Sequence, residues 1–281
     1  MFINIKNYFM KTFLLLKVYI IAVLMFVSNL SFAQKDSTKN KINTDLSADI
    51  FSRYIWRGAQ FGGNSPSLQP CITANYKKLE IGTWGAYSIG NNNYQEIDLF
   101  LQYSFLKDKI SIIVTDYFFP TDTGSYKYFD YKNKTTGHIL ESGLIFNLSK
   151  KTPLKFSAFV NFYGADYARI GDNPADTKNF NTKTGIQYSN YFELSYEKTT
   201  TDDIDLNFFL GFTLSNPKHA DATKGYIGEK GFYGTGPGVI NIGITAKKSL
   251  KITNDYSLPL TASFITNPQA EKVFLIFGIS F

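Results

Sequence analysis

The sequence predicts an all-β fold, a single closed antiparallel transmembrane β-barrel of about 12 strands preceded by an N-terminal signal peptide. Three observations predict it. Apolar and polar residues alternate along extended segments of about ten residues, long and short connections alternate between these segments, and the chain ends on an apolar, aromatic strand. The composition agrees, because 17% aromatic residues in a chain that is 44% hydrophobic is typical of strand-rich proteins.

The first 33 residues have the order of a secretory signal peptide. A basic region without acids is followed by the apolar stretch 18–27 and then by small residues that end at Ala33. Lys17 interrupts the apolar run, which leaves it below the roughly 20 residues that a membrane-spanning helix needs. We therefore expect residues 1–33 to be removed on export.

The signal peptide sets the domain boundaries that we expect. Residues 34–43 should form a short periplasmic segment, and residues 44–281 should form the outer-membrane barrel. Met1 and Met10 are both candidate starts of translation, because Met10 also precedes a basic and apolar stretch.

The charge and cysteine content exclude several classes of protein. The formal net charge of +6 includes three lysines in the leader, and the remaining basic residues are scattered rather than gathered in a stripe, so no nucleic-acid partner is expected. A single cysteine allows no internal disulfide, and no Cys/His cluster has the spacing of a zinc site. We expect no metal and no cofactor.

Alternation with a period of two predicts the strands. Ile97, Leu99 and Leu101, for example, alternate with polar residues such as Glu96 and Asp98. The same pattern predicts twelve strands, with ten and fourteen as the other even counts, at roughly 44–57, 66–77, 79–89, 95–106, 109–119, 138–148, 153–163, 183–198, 203–215, 238–248, 253–265 and 272–281.

Three residues disturb the pattern inside the predicted strands. Asp116 breaks the phase of strand 109–119, which predicts a bulge there. Pro70 and Pro259 each remove a backbone donor from a predicted strand.

The connections between strands predict how the barrel lies in the membrane. Long segments follow the odd-numbered predicted strands, and short turns follow the even-numbered ones. Outer-membrane barrels have long loops outside the cell and short turns in the periplasm. A soluble sandwich would leave both this alternation and the strand lengths without an explanation.

The last strand predicts where the outer face of the barrel lies. Phe277, Ile279 and Phe281 share one face with the apolar residues before them, as in the carboxyl-terminal signal that the outer-membrane assembly machinery recognises. In a bilayer this face meets lipid, and the strand must pair with the first strand because an open edge in hydrocarbon leaves backbone groups unsatisfied. The expected partners are outer-membrane lipid, lipopolysaccharide and the assembly machinery.

Several stretches resemble the TorF-type porin family of bacterial outer-membrane proteins. They are "SADIFSRYIWRG", "PSLQP", "GTWGAYS", "EIDLFLQYSF", "TDYFFP" and "GHILE", which together span most of the chain after the leader. The most specific piece is "SRYIWRG" at 52–58. The resemblance implies an outer-membrane barrel with a pore, and it supplies no substrate or catalytic residues.

The strand phase predicts the residues that line the lumen. Acids outnumber bases among them, which favours a mild cation preference. Bulky lumen-phase residues such as Phe51, Phe100 and Phe209 argue for a narrow opening or none. The candidate pore-lining residues are Arg53, Arg57, Trp84, Glu96, Asp98, Glu141, Lys155, Glu193 and Lys247.

Two interpretations of these charges stay open. Arg53 and Arg57, two steps apart on one strand face, would oppose the acids across the lumen and set a transverse field. Alternatively, the charges pair and fill the interior, as in small barrels.

The predicted function is a narrow porin-like channel for passive uptake of small hydrophilic solutes or ions. The alternative is a closed structural or binding barrel that presents loops 120–137, 164–182 and 216–237 to a surface ligand or partner. The sequence leaves the solute and the oligomeric state open, and oligomers are compatible with it.

Catalysis is not expected. His138 and Ser142 lie four residues apart on one strand, roughly 13 Å, which is too far for a base and its nucleophile. A remote alternative is an outer-membrane hydrolase that uses His219 and Asp221 in a loop.

Overall fold

Twelve long strands close into an antiparallel barrel in the computed structural model, which describes residues 41–90, 94–120, 127–148 and 152–281. The fold class predicted from the sequence is therefore confirmed. The barrel strands are β1 (Asn43–Phe51), β4 (Ser67–Tyr76), β5 (Leu79–Ser88), β6 (Gln95–Phe105), β7 (Ile110–Phe118), β8 (His138–Asn147), β9 (Leu154–Gly164), β12 (Asn190–Thr199), β13 (Asp205–Thr213), β14 (Gly238–Lys251), β15 (Ser257–Asn267) and β16 (Lys272–Ser280).

Four short strands and one 3₁₀ helix lie in the long connections. They are β2 (Tyr54–Trp56), β3 (Ala59–Phe61), β10 (Arg169–Ile170), β11 (Lys183–Gly185) and η1 (Ala222–Lys224). No helix in the part of the chain that the structure describes is long and apolar enough to cross a membrane. The predicted signal peptide lies outside the described residues.

Each barrel strand pairs with the next barrel strand along the chain, and β16 returns to β1. The short turns and the chain end Phe281 lie at one end of the barrel, and the long connections lie at the other. This arrangement follows the alternation of connections that the sequence predicts.

The two faces of the wall differ as the phase predicts. On β16, Val273, Leu275 and Phe277 are exposed on the outer surface, whereas Phe274 and Ile276 are buried on the lumen side. An exposed apolar band is costly in water, but it is the expected surface of a barrel in lipid.

The closure between the first and last strands is short. Only Asp49, Ile50 and Phe51 of β1 are in register with β16, whereas all nine residues of β1 pair with β4. Toward the end of the barrel with the long connections, the last bond of this closure runs from Ser52 N to Phe277 O, at 2.7 Å. β1 stops here because the chain then turns into the lumen.

The prediction of one strand over residues 44–57 is wrong for its second half. β1 ends at Phe51, and the following residues form a separate hairpin of β2 and β3, with Tyr54 opposite Phe61 and Trp56 opposite Ala59. The alternation continues through residue 57 because both pieces are extended, so periodicity does not reveal the break.

The predicted strand 183–198 is also two pieces. Lys183–Gly185 is β11, which pairs with β10 inside a long loop, and the barrel strand β12 begins only at Asn190. Tyr188 between them has φ 54°, and this left-handed conformation ends the extended segment.

The bulge predicted at Asp116 is wrong. β7 keeps its register with both neighbours through Asp116. Register shifts instead occur between Leu140 and Glu141 on β8 and between Gly211 and Phe212 on β13. Asp116 stays in phase on the outer face because His138 and Tyr131 provide polar partners for its carboxylate there.

Candidate functional site

The hairpin of β2 and β3, residues 54–61, enters the lumen. A two-residue turn at Arg57 and Gly58 joins its strands, and both residues have positive φ, 48° and 76°. Positive φ at both central positions is the mark of a type I′ turn, whose twist suits a tight hairpin. Arginine at such a position is uncommon, because positive φ strains the backbone of a residue with a side chain. Such strain persists where surrounding contacts hold the residue, as the contacts of the Arg57 side chain do here.

The Arg57 guanidinium binds Glu141 on β8 with both of its terminal nitrogens. One of the two bonds, from Nη2 to Oε1, measures 2.9 Å. Tyr117 donates to Glu141 Oε1 at 2.8 Å, and Tyr233 donates to Oε2 at 3.0 Å. We call these four residues the latch. Bidentate geometry with two further donors satisfies a carboxylate that water cannot reach.

Aromatic rings surround the Arg57 side chain. Its guanidinium carbon lies 4.1 Å from the ring centre of Phe159, 4.4 Å from that of Trp56 and 4.7 Å from that of Tyr191. These contacts are within the range of cation–π attraction. Burial is nearly complete, with 10% of the Arg57 side chain and 2% of the Glu141 side chain exposed.

The tip of the hairpin rests on the barrel wall at β14 and β15, which lie three and two strands from β1. Asn267 of β15 donates to Gly58 O at 3.2 Å, and Gly58 packs against the carbonyl of Ile240 so closely that a side chain would not fit. The hairpin is therefore held at β14 and β15 by its tip, and the latch ties it to β8 on the other side of the lumen.

Five bulky side chains of the lumen face lie against the wall. Each occupies the space that a Cβ would take on a glycine of a neighbouring strand. The pairs are Phe51 over Gly278, Phe100 over Gly82, Phe159 over Gly143, Tyr191 over Gly211 and Phe209 over Gly243. The element that crosses the lumen is thus the hairpin rather than these rings.

Three predicted pore-lining residues lie together on the wall beside the hairpin. Trp84 of β5 is directly opposite Asp98 of β6, and both line a cavity of about 490 Å³. Glu96 lies one lumen-facing position away on β6, and it accepts a bond from Tyr94 at 2.6 Å. Arg53 lines the same cavity as Asp98.

The other predicted lumen residues are spread along the barrel. Glu193 accepts a bond from Tyr191, whereas Lys155 lies 3.6 Å from Glu197 near the end with short turns. Lys247 is in register with the acidic start of β13 at the same end. The structure therefore brings together Arg57 with Glu141, and Arg53 with Asp98 and Trp84, but it does not gather all nine residues into one site.

Two members of the latch were missed from the sequence. Tyr117 has the lumen phase of β7, so the strand pattern could have identified it. Tyr233 comes from the loop before β14, where no periodicity indicates which way a side chain points.

A polar cluster on the outer face was also missed. His138 is fully buried there, with Nδ1 2.8 Å from Asp116 Oδ1 and Nε2 against the backbone oxygen of Tyr128. Tyr131 donates to the second oxygen of Asp116 at 2.8 Å. Residues 127–137, which we call the covering loop, supply both tyrosines. Because both ring nitrogens of His138 are engaged, the cluster anchors a loop.

The loop pair His219 and Asp221 is not assembled in the described part of the chain. Asp221 instead caps η1 by accepting bonds from Thr223 N at 3.1 Å and Thr223 Oγ1 at 2.6 Å. These bonds hold the pKa of the Asp221 carboxyl below its ordinary value.

Comparison with known proteins adds the following findings. No family model matches the chain, and no curated protein matches it significantly. Similar solved structures include a chain from work on in-meso crystallization of membrane proteins, with 9% identity, a TM-score of 0.38 and coverage of 84% of this chain and 82% of that one.

Another similar structure is Wzi of Escherichia coli, an outer-membrane protein involved in group 1 capsule assembly and a carbohydrate-binding β-barrel. It is 11% identical with a TM-score of 0.31, and the match covers 78% of this chain and 52% of Wzi. The chain thus spans about half the length of Wzi. By its own topology, the protein is a closed twelve-stranded antiparallel β-barrel with a hairpin folded into the lumen. Membership of the TorF-type porin family stays a prediction.

Proposed function

We propose that the protein is an outer-membrane channel of narrow bore, in which the inward hairpin forms the constriction and small hydrophilic solutes or ions pass with a mild preference for cations. The observation that carries the proposal is the hairpin held across the lumen by the latch. An element that only filled a structural barrel would not need a buried, strained arginine, since apolar packing achieves the same filling without desolvating a charge.

The cation preference follows from charges that the latch leaves over. Arg57 neutralises Glu141, whereas Glu96 and Glu193 are bonded by tyrosines and Asp98 has no base within ion-pair distance in the described part of the chain. These three acids outnumber the two lumen bases without an ion pair there, Arg53 and Lys247. Carboxylates in a narrow, low-dielectric passage raise the local concentration of cations.

Planar-bilayer recording tests the channel. Purified protein, verified as folded, should give small discrete conductance steps, and a KCl gradient should give a reversal potential displaced toward that of K⁺. Glu96→Gln should reduce this displacement, while Asp255→Asn in an exposed turn should leave it unchanged. Folded protein without conductance above background would refute the channel.

The outer-membrane location can be tested through the chain end. Phe281 exchanges two backbone bonds with Ala48, at 2.9 and 3.2 Å, which complete the pairing of β1 with β16. Removal of Phe281 should therefore reduce the amount of heat-modifiable, folded protein in outer-membrane fractions. Val273→Ala at the opposite end of the same strand should not. Equal recovery of both variants and the wild type would contradict this role.

A second candidate function is a closed barrel that presents its loops to a surface ligand or partner. Contacts between the long loops favour it, since Arg169 binds Glu229 at 2.6 Å and Lys218 binds Asp172 at 2.7 Å. The bond from Lys218 holds the pKa of the Asp172 carboxyl below its ordinary value. Interlocked loops form a fixed surface, which suits recognition. The bilayer recording separates the two candidates.

A further inference from the structure

The lumen contains a solute-sized cavity on the side of the hairpin that faces the short turns. It has a volume of about 490 Å³, and residues 54–56 of the hairpin form part of its lining. A second cavity of about 820 Å³ shares the lining residues Thr245 and Lys247 with it and lies beside the start of β13. The smaller cavity is of the size that holds small molecules in proteins.

Asp98 supplies a carboxyl group with an unsatisfied oxygen to this cavity. Its residue is 6% exposed, and its Oδ1 atom is buried without a hydrogen-bond partner among the described residues. A buried carboxyl oxygen without a donor is costly, so a bound cationic donor would remove a penalty that the protein otherwise carries.

Two bases line the same cavity. They are Arg53, from the segment between β1 and β2, and Lys247 of β14. Within the described ranges neither has a carboxylate at ion-pair distance, although Asp205 is in register with Lys247. The cavity thus holds an acid and two bases that do not neutralise one another directly.

Aromatic rings line the wall around Asp98. Trp84 is directly opposite Asp98, and Phe100 and Tyr117 lie on the same side of the lumen. The Tyr54 ring lies 5.5 Å from that of Trp84. Such surfaces bury apolar groups and attract cations.

The geometry points to a site for a small zwitterion with an apolar side chain, of the class of aromatic α-amino acids. The ammonium group donates to Asp98, the carboxylate accepts from Arg53, and the side chain packs against Trp84 and its neighbours. As the solute site of a channel, this inference rests on the proposed function. Binding itself requires no conduction and is measured separately.

Three related probes with the same phenylethyl group separate the contributions of the two charges. L-phenylalanine carries both charges, phenethylammonium carries only the positive one, and 3-phenylpropanoate carries only the negative one. Both tryptophans of the chain, Trp56 and Trp84, line the cavity, so their emission reports binding in detergent micelles without engineering. We expect L-phenylalanine to bind most tightly.

Two variants give opposite patterns. Asp98→Asn should weaken L-phenylalanine and phenethylammonium about tenfold or more and leave 3-phenylpropanoate unchanged or tighter, because it removes a charge-assisted bond. Arg53→Gln should weaken L-phenylalanine and 3-phenylpropanoate and spare phenethylammonium. Asp205→Asn, which lines only the larger cavity, is the matched control and should change none of them.

Equal affinity for all three probes, or no binding of any, would overturn the inference. It would also be overturned if Asp98→Asn and Arg53→Gln weakened all probes alike. Because each variant is folded if it still binds the probe that it spares, misfolding is distinguished within the same titration. If the protein does not conduct but the two variants still show the opposite probe patterns, the channel is refuted and the binding site is not.

Discussion

Replacement of Glu141 by glutamine should release the hairpin from the lumen. The substitution removes the counterion of Arg57 while it keeps the size of the side chain and the two tyrosine donors nearby. Loss of one partner of a buried ion pair costs about 3–5 kcal/mol, because the other charge stays desolvated. Arg57 and Glu141 are buried enough for this range to apply, with 10% and 2% of their side chains exposed.

The cost converts into a shift of population. At 1.4 kcal/mol for each factor of ten, 3–5 kcal/mol changes the ratio of inserted to released hairpin by about 10²- to 4 × 10³-fold. The three pairs within the hairpin and the pairing of β1 with β16 do not involve the latch, so the released state need not unfold the barrel.

Trp56 reports the release. In a Trp84→Phe background it is the only tryptophan, and it packs 5.5 Å from the Tyr117 ring. Glu141→Gln should shift its emission to longer wavelength and raise its quenching by acrylamide. Glu197→Gln is the control. Glu197 forms an ion pair with Lys155 at 3.6 Å, but its side chain is 61% exposed, and an exposed pair of this kind is worth about 0–1 kcal/mol.

A double variant checks the cause. Arg57→Met together with Glu141→Gln removes both charges and keeps an apolar chain in the aromatic surround, so the emission should return toward that of the wild type. If Glu141→Gln matches the Glu197→Gln control in emission and quenching, the latch does not hold the hairpin and the reasoning is refuted.

Two further substitutions test the wall and the outer cluster. Gly243→Val should displace Phe209 from the wall and lower the free energy of unfolding in urea by about 1–3 kcal/mol. Gly236→Val is the control, because the space around Gly236 is open and its free energy of unfolding should not change. Equal free energies of unfolding for the two variants would contradict the packing of Phe209 on Gly243. His138→Ala should leave Asp116 Oδ1 and the backbone oxygen of Tyr128 without their donor, and trypsin should then cleave the covering loop faster. His219→Ala is the control. An unchanged cleavage rate in His138→Ala would contradict the anchoring role.

The barrel was predictable because lipid and lumen impose a period of two on every strand. Each of Val273, Leu275 and Phe277 lies where the phase puts it, and the same phase places Glu141 and Asp98 on the lumen side. Strand ends were less predictable, since alternation continues through Ile55 although the chain has already left the wall.

The latch was only half predictable. Strand phase identifies Glu141, but Arg57 reaches it through a turn with positive φ in a segment that reads as a straight strand. Its contact with Tyr233 joins residues 176 positions apart, through a loop without periodicity. Contacts of this kind depend on where a loop folds back, and local patterns do not encode that.

Conductance of a variant without the hairpin tests the central claim most directly. Residues 54–61 are replaced by a short Gly-Ser linker, and folding is verified by heat modifiability before recording in planar bilayers. The account predicts single-channel steps several-fold larger than those of the wild type, with ion selectivity reduced. A folded variant with the same conductance as the wild type, or with none, would contradict a lumen whose constriction is the hairpin.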